Sequence, residues 1–209
     1  YTVELVAATA EFQQQYSELL KQSGVEVVTA TPDELGKAGT FQTNDSCIAI
    51  AKTKENASIE AKVGEFAIVL DDIRDPGNLG TIIRIADWYG FPKLICSNST
   101  TDFYNPKVIA ASKGSFTRVQ TYYTELDTYF EKIQGREILG AFLEGQSLYE
   151  WQPQTEGGYL IMGNESNGVS PAIEKFVTQK LTIPRFGEAE SLNVGIATAI
   201  LCDGIRRFF

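Results

Sequence analysis

Three segments of this chain combine residue types that could do chemistry. The first is LDDIRDPGNLGTIIRIADWYGF (70–91), read as a strand end, an Asp/Pro/Gly/Asn turn and then a helix. Gly77 and Gly80 permit close backbone approach, and Asn78 suits a helix cap. Arg84 is flanked by Ile82, Ile83, Ile85 and Ala86. A guanidinium in such a run needs either a carboxylate partner or an anionic ligand. The structural alternative is a salt bridge to Asp71, Asp72 or Asp75.

The second segment is LIMGNESNGVSP (160–171), a strand running into Gly163 and Gly168 with Asn164, Glu165, Ser166 and Asn167 between them. The bracketing glycines suggest a phosphate loop, but Val169 stands where its lysine belongs. What remains is a turn presenting backbone N–H and C=O groups to a small ligand, or simply a tight polar turn. Open α/β sheets bind ligands at such strand ends. The third segment, LTIPRFGEAESLNVGIATAILCDGIRR (181–207), opens its helix at Ser191 and Asn193, with Ser191 a candidate cap. Gly195 and Gly204 inside that helix each cost roughly 1 kcal/mol against alanine, which points to close packing. Its face of Leu192, Ile196, Ala199 and Ile200 suits a core or an interface. Between these segments, DFYNPKVIAASKGSFTR (102–118) sets Lys107, Lys113 and Arg118 among Phe103, Tyr104 and Phe116, the one basic-aromatic stretch of the chain.

Composition narrows the chemistry further. The 209 residues contain no histidine, which excludes Ser-His-Asp and Cys-His hydrolysis, His-ligated metals and any histidine base. Three distant cysteines, Cys47, Cys96 and Cys202, fit core packing in a reducing cytosol better than a disulfide framework or a metal site. A cytoplasmic protein is expected, since no 18-residue apolar stretch or signal pattern occurs. The net charge of −9 argues, taken alone, against a polyanion binder. The chain starts almost on a strand at Tyr1, so upstream residues are expected to be missing.

The elements that must position these residues alternate. Strands are expected at 3–9, 25–31 and 47–52, with helices at 11–24 and from Pro32. A polar stretch, 52–65, reads as a linker. Beyond it, strands at 66–70, 93–96, 118–121, 137–143, 159–162 and 180–183 alternate with helices at 78–89, 106–111, 125–134 and 191–207. This pattern predicts an α/β fold, a parallel sheet flanked by helices on both faces. Two domains are expected, 1–58 and 63–209, and neither half is basic, at −4 over residues 1–62 and −5 over 63–209.

In this order the segments resemble the motifs of the SpoU (TrmH-like) branch of the SPOUT RNA methyltransferases, over about residues 63–209. The matching patterns are D-P-G-N-x-G-x-x-x-R-x-A, M-G-N-E-x-x-G after a strand, I-P-x(6)-S-L-N-V-x-x-A, and Y-N-P-K-x-x-x-A-S-x-G-S. The resemblance implies transfer of a methyl group from S-adenosylmethionine to a ribose 2′-hydroxyl of rRNA or tRNA, without a metal. It also implies a C-terminal trefoil knot, a homodimer and a small N-terminal RNA-binding domain. The residues it marks as catalytic are Asn78, Arg84, Glu165, Ser191 and Asn193, with the arginine assisting deprotonation of the hydroxyl. Gly163, Ile183 and Leu192, with Asn164, Gly168 and Leu143, match cofactor-wrapping positions, and Lys107, Lys113 and Arg118 are the RNA-contact candidates. The alternative is a non-catalytic RNA-binding module that has kept the fold.

Overall fold

The computed structural model describes residues 1–40 and 43–209, in two compact units, Tyr1–Glu55 and Asn56–Phe209. In the first unit the order is β1 (Val3–Ala8), α1 (Ala10–Gln15), α2 (Ser17–Ser23), β2 (Glu26–Thr29), α3 (Pro32–Ala38) and β3 (Cys47–Ala51). The helix expected over 11–24 is broken at Tyr16, whose φ of −110° and ψ of 22° lie outside the helical region. Neither α1 nor α2 buries a residue fully, so little packing holds them as one rod. The start of α3 follows its sequence signals. Pro32 occupies the first turn, and Thr31 and Glu34 form a reciprocal capping box. β1 pairs parallel with β2 but antiparallel with β3, so this small sheet is mixed rather than parallel.

The second unit follows the βα reading more closely. Its elements are β4 (Glu65–Leu70), α4 (Pro76–Tyr89), β5 (Lys93–Ser97), α5 (Pro106–Ser112), β6 (Gln120–Thr124), α6 (Leu126–Phe130), β7 (Glu137–Ser147), β8 (Gly157–Met162), α7 (Pro171–Glu174), β9 (Gln179–Thr182) and α8 (Val194–Arg206). A 3-10 turn at Ser115–Thr117 and the short α7 carry too little periodicity to read in advance. α6 is also shorter than expected. All six strands run parallel in the order β6-β5-β4-β8-β7-β9.

β4 explains the layering. Its run is buried on both faces, as a central parallel strand requires. Ile68 and Leu70 join the core under α4 and α8, while Ala67 and Val69 join the core with Leu126, Phe130 and Ile173. α4 meets the sheet through Leu79, Ile82, Ile83 and Ala86, the i, i+3, i+4, i+7 stripe of an amphipathic helix. The end of the expected linker belongs to this second core. Ala61 is buried and its N–H donates to the Tyr159 hydroxyl at 3.2 Å. The Tyr129 hydroxyl donates to the Ile59 carbonyl at 2.9 Å. Two contacts spaced one residue apart are too few to show as periodicity.

Candidate active site

Because the strands are parallel, their carboxyl ends form one edge, and the motif residues follow from it. Gly140 lies opposite Ile161 and Ala141 opposite Leu181, so β8, β7 and β9 bring Gly163, Leu143 and Ile183 to this edge together. β4 delivers Asp71 and Asp72 beside them, and α4 starts just beyond.

The cap of α4 is Asp75, not Asn78. Asp75 Oδ1 accepts the Asn78 N–H at 2.7 Å, with Pro76 in the first turn. The Asn78 side chain is thereby free for longer reach. Its Nδ2 donates to Glu165 Oε1 at 2.8 Å, and its Oδ1 accepts from Asn193 Nδ2 at 2.9 Å. Asn193 in turn caps α8, its Oδ1 accepting from the N–H groups of Gly195 and Ile196. Ser191 does not cap the helix; it is exposed and makes no hydrogen bond with the described residues. The chain Asn193–Asn78–Glu165 therefore has one direction. Backbone donors fix the Asn193 oxygen, so its amide nitrogen must donate onward, and Asn78 must donate to the carboxylate.

The loop after β8 is closed on itself and clamped from below. Asn164 and Gly168 exchange backbone hydrogen bonds at 3.0 and 2.9 Å, and Gly168 turns at φ +68°. A Cβ at Gly163 would stand 2.1 Å from the Gly168 carbonyl carbon, so only glycine allows this crossing. Asn164 braces the loop. Its Oδ1 accepts from the Ser166 and Asn167 N–H groups, and its Nδ2 donates to the Asp72 carbonyl at 2.8 Å. Asp72 offers that carbonyl from a left-handed φ of +63°, a conformation Asp tolerates better than most residues. The Arg74 guanidinium bonded to it holds the Asp72 carboxyl below its ordinary pKa. Asp71 is buried and accepts the Ser170 N–H at 2.7 Å. In the sequence Asp71 and Asp72 stand out only as possible partners for Arg84. Their signal was two acids directly after an apolar strand.

Arg84 takes none of the three salt bridges open to it, to Asp71, Asp72 or Asp75. It lies on the outer side of α4, exposed, and forms no hydrogen bond or ion pair with the described residues. Its flanking isoleucines point inward while it points out. Arg118 is the opposite case. An RNA-contact candidate, it grips Asp87, with Nε 3.0 Å from each carboxylate oxygen and Nη2 2.6 Å from Oδ2. Lys107 and Lys113 are exposed and make no ion pair with described residues, Lys113 at a left-handed φ of +50°. Of the cysteines, Cys96 and Cys202 are core residues as expected, and burial pushes the Cys96 thiol up to about 12. Cys47 departs from that expectation, being only partly buried on a strand of the small sheet. No group of metal-ligating side chains occurs among the described residues.

Residues 65–203 match the SpoU rRNA Methylase family. This chain is a SpoU-family protein. A 23S rRNA (guanosine(2553)-2′-O)-methyltransferase of Bacillus subtilis is 30% identical over 187 residues, 88% of this chain and 74% of the relative. A protein from Porphyromonas gingivalis assigned to the TrmH family of RNA methyltransferases is 36% identical, with a TM-score of 0.82 over 99% of this chain and 83% of that one. The SpoU methyltransferase AviRb of Streptomyces viridochromogenes, solved with its cofactor AdoMet, shares the fold at a TM-score of 0.85 and 24% identity, over 98% and 82% of the two chains. The α/β fold with its parallel sheet is thus that of the SpoU methyltransferases.

The residues at this family's site fit an adenosine-bearing cofactor on chemical grounds. Leu143 and Leu192 expose apolar surface, 75% and 48% of their areas, at the same strand edge as the partly buried Ile183. Apolar walls beside loop backbone suit a flat base that needs stacking surface and a few polar partners.

Proposed function

We propose that this chain transfers the methyl group of S-adenosylmethionine to a ribose 2′-hydroxyl of rRNA or tRNA. The observation that carries this reading is the directed chain Asn193–Asn78–Glu165, which joins three family motifs far apart in sequence at one strand edge. Gly163, Gly168, Ile183, Leu192 and Leu143 would hold the cofactor, which supplies a methyl group on a sulfonium and so needs no metal. The chain's own residues must align the hydroxyl and help it lose one proton. Arginine stays protonated, so Arg84 acts by charge. Its guanidinium stabilises the oxyanion developing at O2′ while an RNA phosphate oxygen takes the proton. Asn78 and Asn193 hold Glu165 as an acceptor, and Ser191, exposed and without a partner among the described residues, is available to the substrate.

We further infer the coarser features that the resemblance implies. The exposed Trp88 on α4 and Ile196 on α8, 84% and 52% accessible, are apolar surface suited to a second copy of the chain. A trefoil knot made by the C-terminal segment follows from the family resemblance. The first unit would select the RNA, Lys107 and Lys113 would meet phosphates, and the work would be done in the cytoplasm. No helix among the described residues is long and apolar enough to cross a membrane.

The test pairs calorimetry with mapping. S-adenosylmethionine should bind the purified protein, and ribose methylation, mapped by mass spectrometry on RNA from cells with and without the gene, should differ at one nucleotide. Cofactor binding with no differing nucleotide would sink the substrate assignment. Absent cofactor binding would favour the non-catalytic module.

A further inference from the structure

Arg84 and Asp87 stand three residues apart on α4, and positions i and i+3 are neighbours on a helix surface. Asp87 is therefore the nearest carboxylate to Arg84 along its own helix. It is nevertheless taken. Arg118, just after the 3-10 turn at Ser115–Thr117, meets Asp87 with two nitrogens, and its Nη2 also lies 3.4 Å from the Ser115 hydroxyl. Asp87 is the less accessible partner, its side chain 23% exposed against 59% for Arg118. The bond to Arg118 holds the Asp87 carboxyl below its ordinary pKa, so it stays charged and attached. Arg84, beside it, is left without a partner among the described residues.

We propose that Arg118 is a positioning residue for Arg84, keeping its guanidinium available by occupying the carboxylate nearest to it along α4. The proposal rests on the role given to Arg84 above. The physics is competition. A half-buried carboxylate must have a cation, and a planar bidentate fork outcompetes a single helical neighbour. Without Arg118, Asp87 turns to Arg84, cancels its charge and repels the approaching phosphate. Arg118 thus acts from the protein side and need not touch RNA.

The test is a rescue. Arg118→Gln should lower the single-turnover methylation rate at saturating RNA about three- to fivefold, the weight of an i, i+3 ion pair to a partly buried acid. The RNA probes are unmodified rRNA and tRNA transcripts, with tritiated S-adenosylmethionine. Adding Asp87→Asn removes the competitor, and the double variant should return to within about twofold of the parent. The side-chain Nε–H signal of Arg84 in an NMR spectrum should shift in Arg118→Gln and return in the double variant, without any need for activity. A loss seen in RNA affinity alone and not repaired by Asp87→Asn would overturn the proposal and make Arg118 an RNA contact. If Arg118→Gln does not fold, Asp87→Ala and Asp87→Ala/Arg118→Gln serve instead, and any rate difference between them beyond about threefold counts against the proposal. Should Arg84→Ala methylate at the parent's rate while the NMR shift occurs, the underlying role of Arg84 fails, and the pairing stands as structure only.

Discussion

The two ends of the six-stranded sheet treat their charged groups in opposite ways. At the amino end, buried charges are fully engaged within the protein. Lys93, 8% exposed, donates to Glu65 and to the Glu60 carbonyl, and Glu137, 4% exposed, accepts from Trp151 Nε1 and the Gln154 N–H. Phe66, Phe91 and Trp151 close the surroundings. At the carboxyl end, Ser191 has no partner among the described residues, and Glu165 is exposed with one oxygen bonded; Arg84, along α4, is likewise without one. One end spends its polar groups on stability, whereas the other holds them in place for something that arrives.

The sharpest contrast with the engaged amino-end charges comes from Arg84→Ala. It should cut methylation about 100- to 1,000-fold, as loss of one oxyanion-stabilising group does, while thermal stability and cofactor affinity stay near the parent's. The reverse is expected of Glu137→Ala, which strands the Trp151 and Gln154 donors. Denaturant titration should show a loss of about 2 kcal/mol or more, with the rate per folded molecule unchanged. Less drastic is Asn78→Asp, which sets a carboxylate against Glu165. Two carboxylates so close share a proton, so the pair's pKa is raised, and activity should fall as pH rises from about 5 to about 8. Asn78→Asp/Glu165→Gln should abolish that slope, and a flat profile for the single variant would refute the directed chain. Smaller again, Lys113→Ala should reduce the salt dependence of RNA binding by roughly one counterion and leave the turnover at saturating RNA alone.

Acid should act on both ends together. Glu65, through Lys93, Asp72, through Arg74, and Asp87, through Arg118, all hold their protons less tightly folded than is usual for a carboxyl. Groups with a depressed folded pKa contribute stability above the ordinary carboxylate range and lose it as pH falls through their folded values. Unfolding followed from pH 7 down to about 3 should show that loss, an effect that solvent screening keeps modest for such accessible pairs.

What could be read in the sequence was what period and local chemistry control. The strands of the second unit and helices α4, α5 and α8 appear within a few residues of their expected bounds, because apolar periodicity and turn residues decide them locally. The kink at Tyr16 was not legible, since the Phe12, Tyr16, Leu19, Leu20 stripe is intact and only its poor burial reveals the break. At the site, the hydrogen-bond and ion-pair partners differ from those the sequence suggests. Arg84 offered three nearby acids and uses none of them. Ser191 and Asn78 carried cap chemistry, yet Asn193 and Asp75 do the capping. The pairing of Arg118 with Asp87 is not legible because the carboxylate is 31 residues away in the chain and adjacent only once the 3-10 turn and α4 have packed. Pairings of that kind are set by tertiary contact and leave no period to detect.

The one-way sense of the amide chain has a consequence for how the site is assembled in time. Its direction originates at the backbone N–H groups of α8, which follows the other described elements in the order of synthesis. Until that helix has formed, Asn193 has nothing to orient it, Asn78 can turn either face to Glu165, and the earlier motifs, though folded, lack a common alignment. Competence for the reaction would then arrive late, as a property conferred by the docking of α8 against the motifs that precede it.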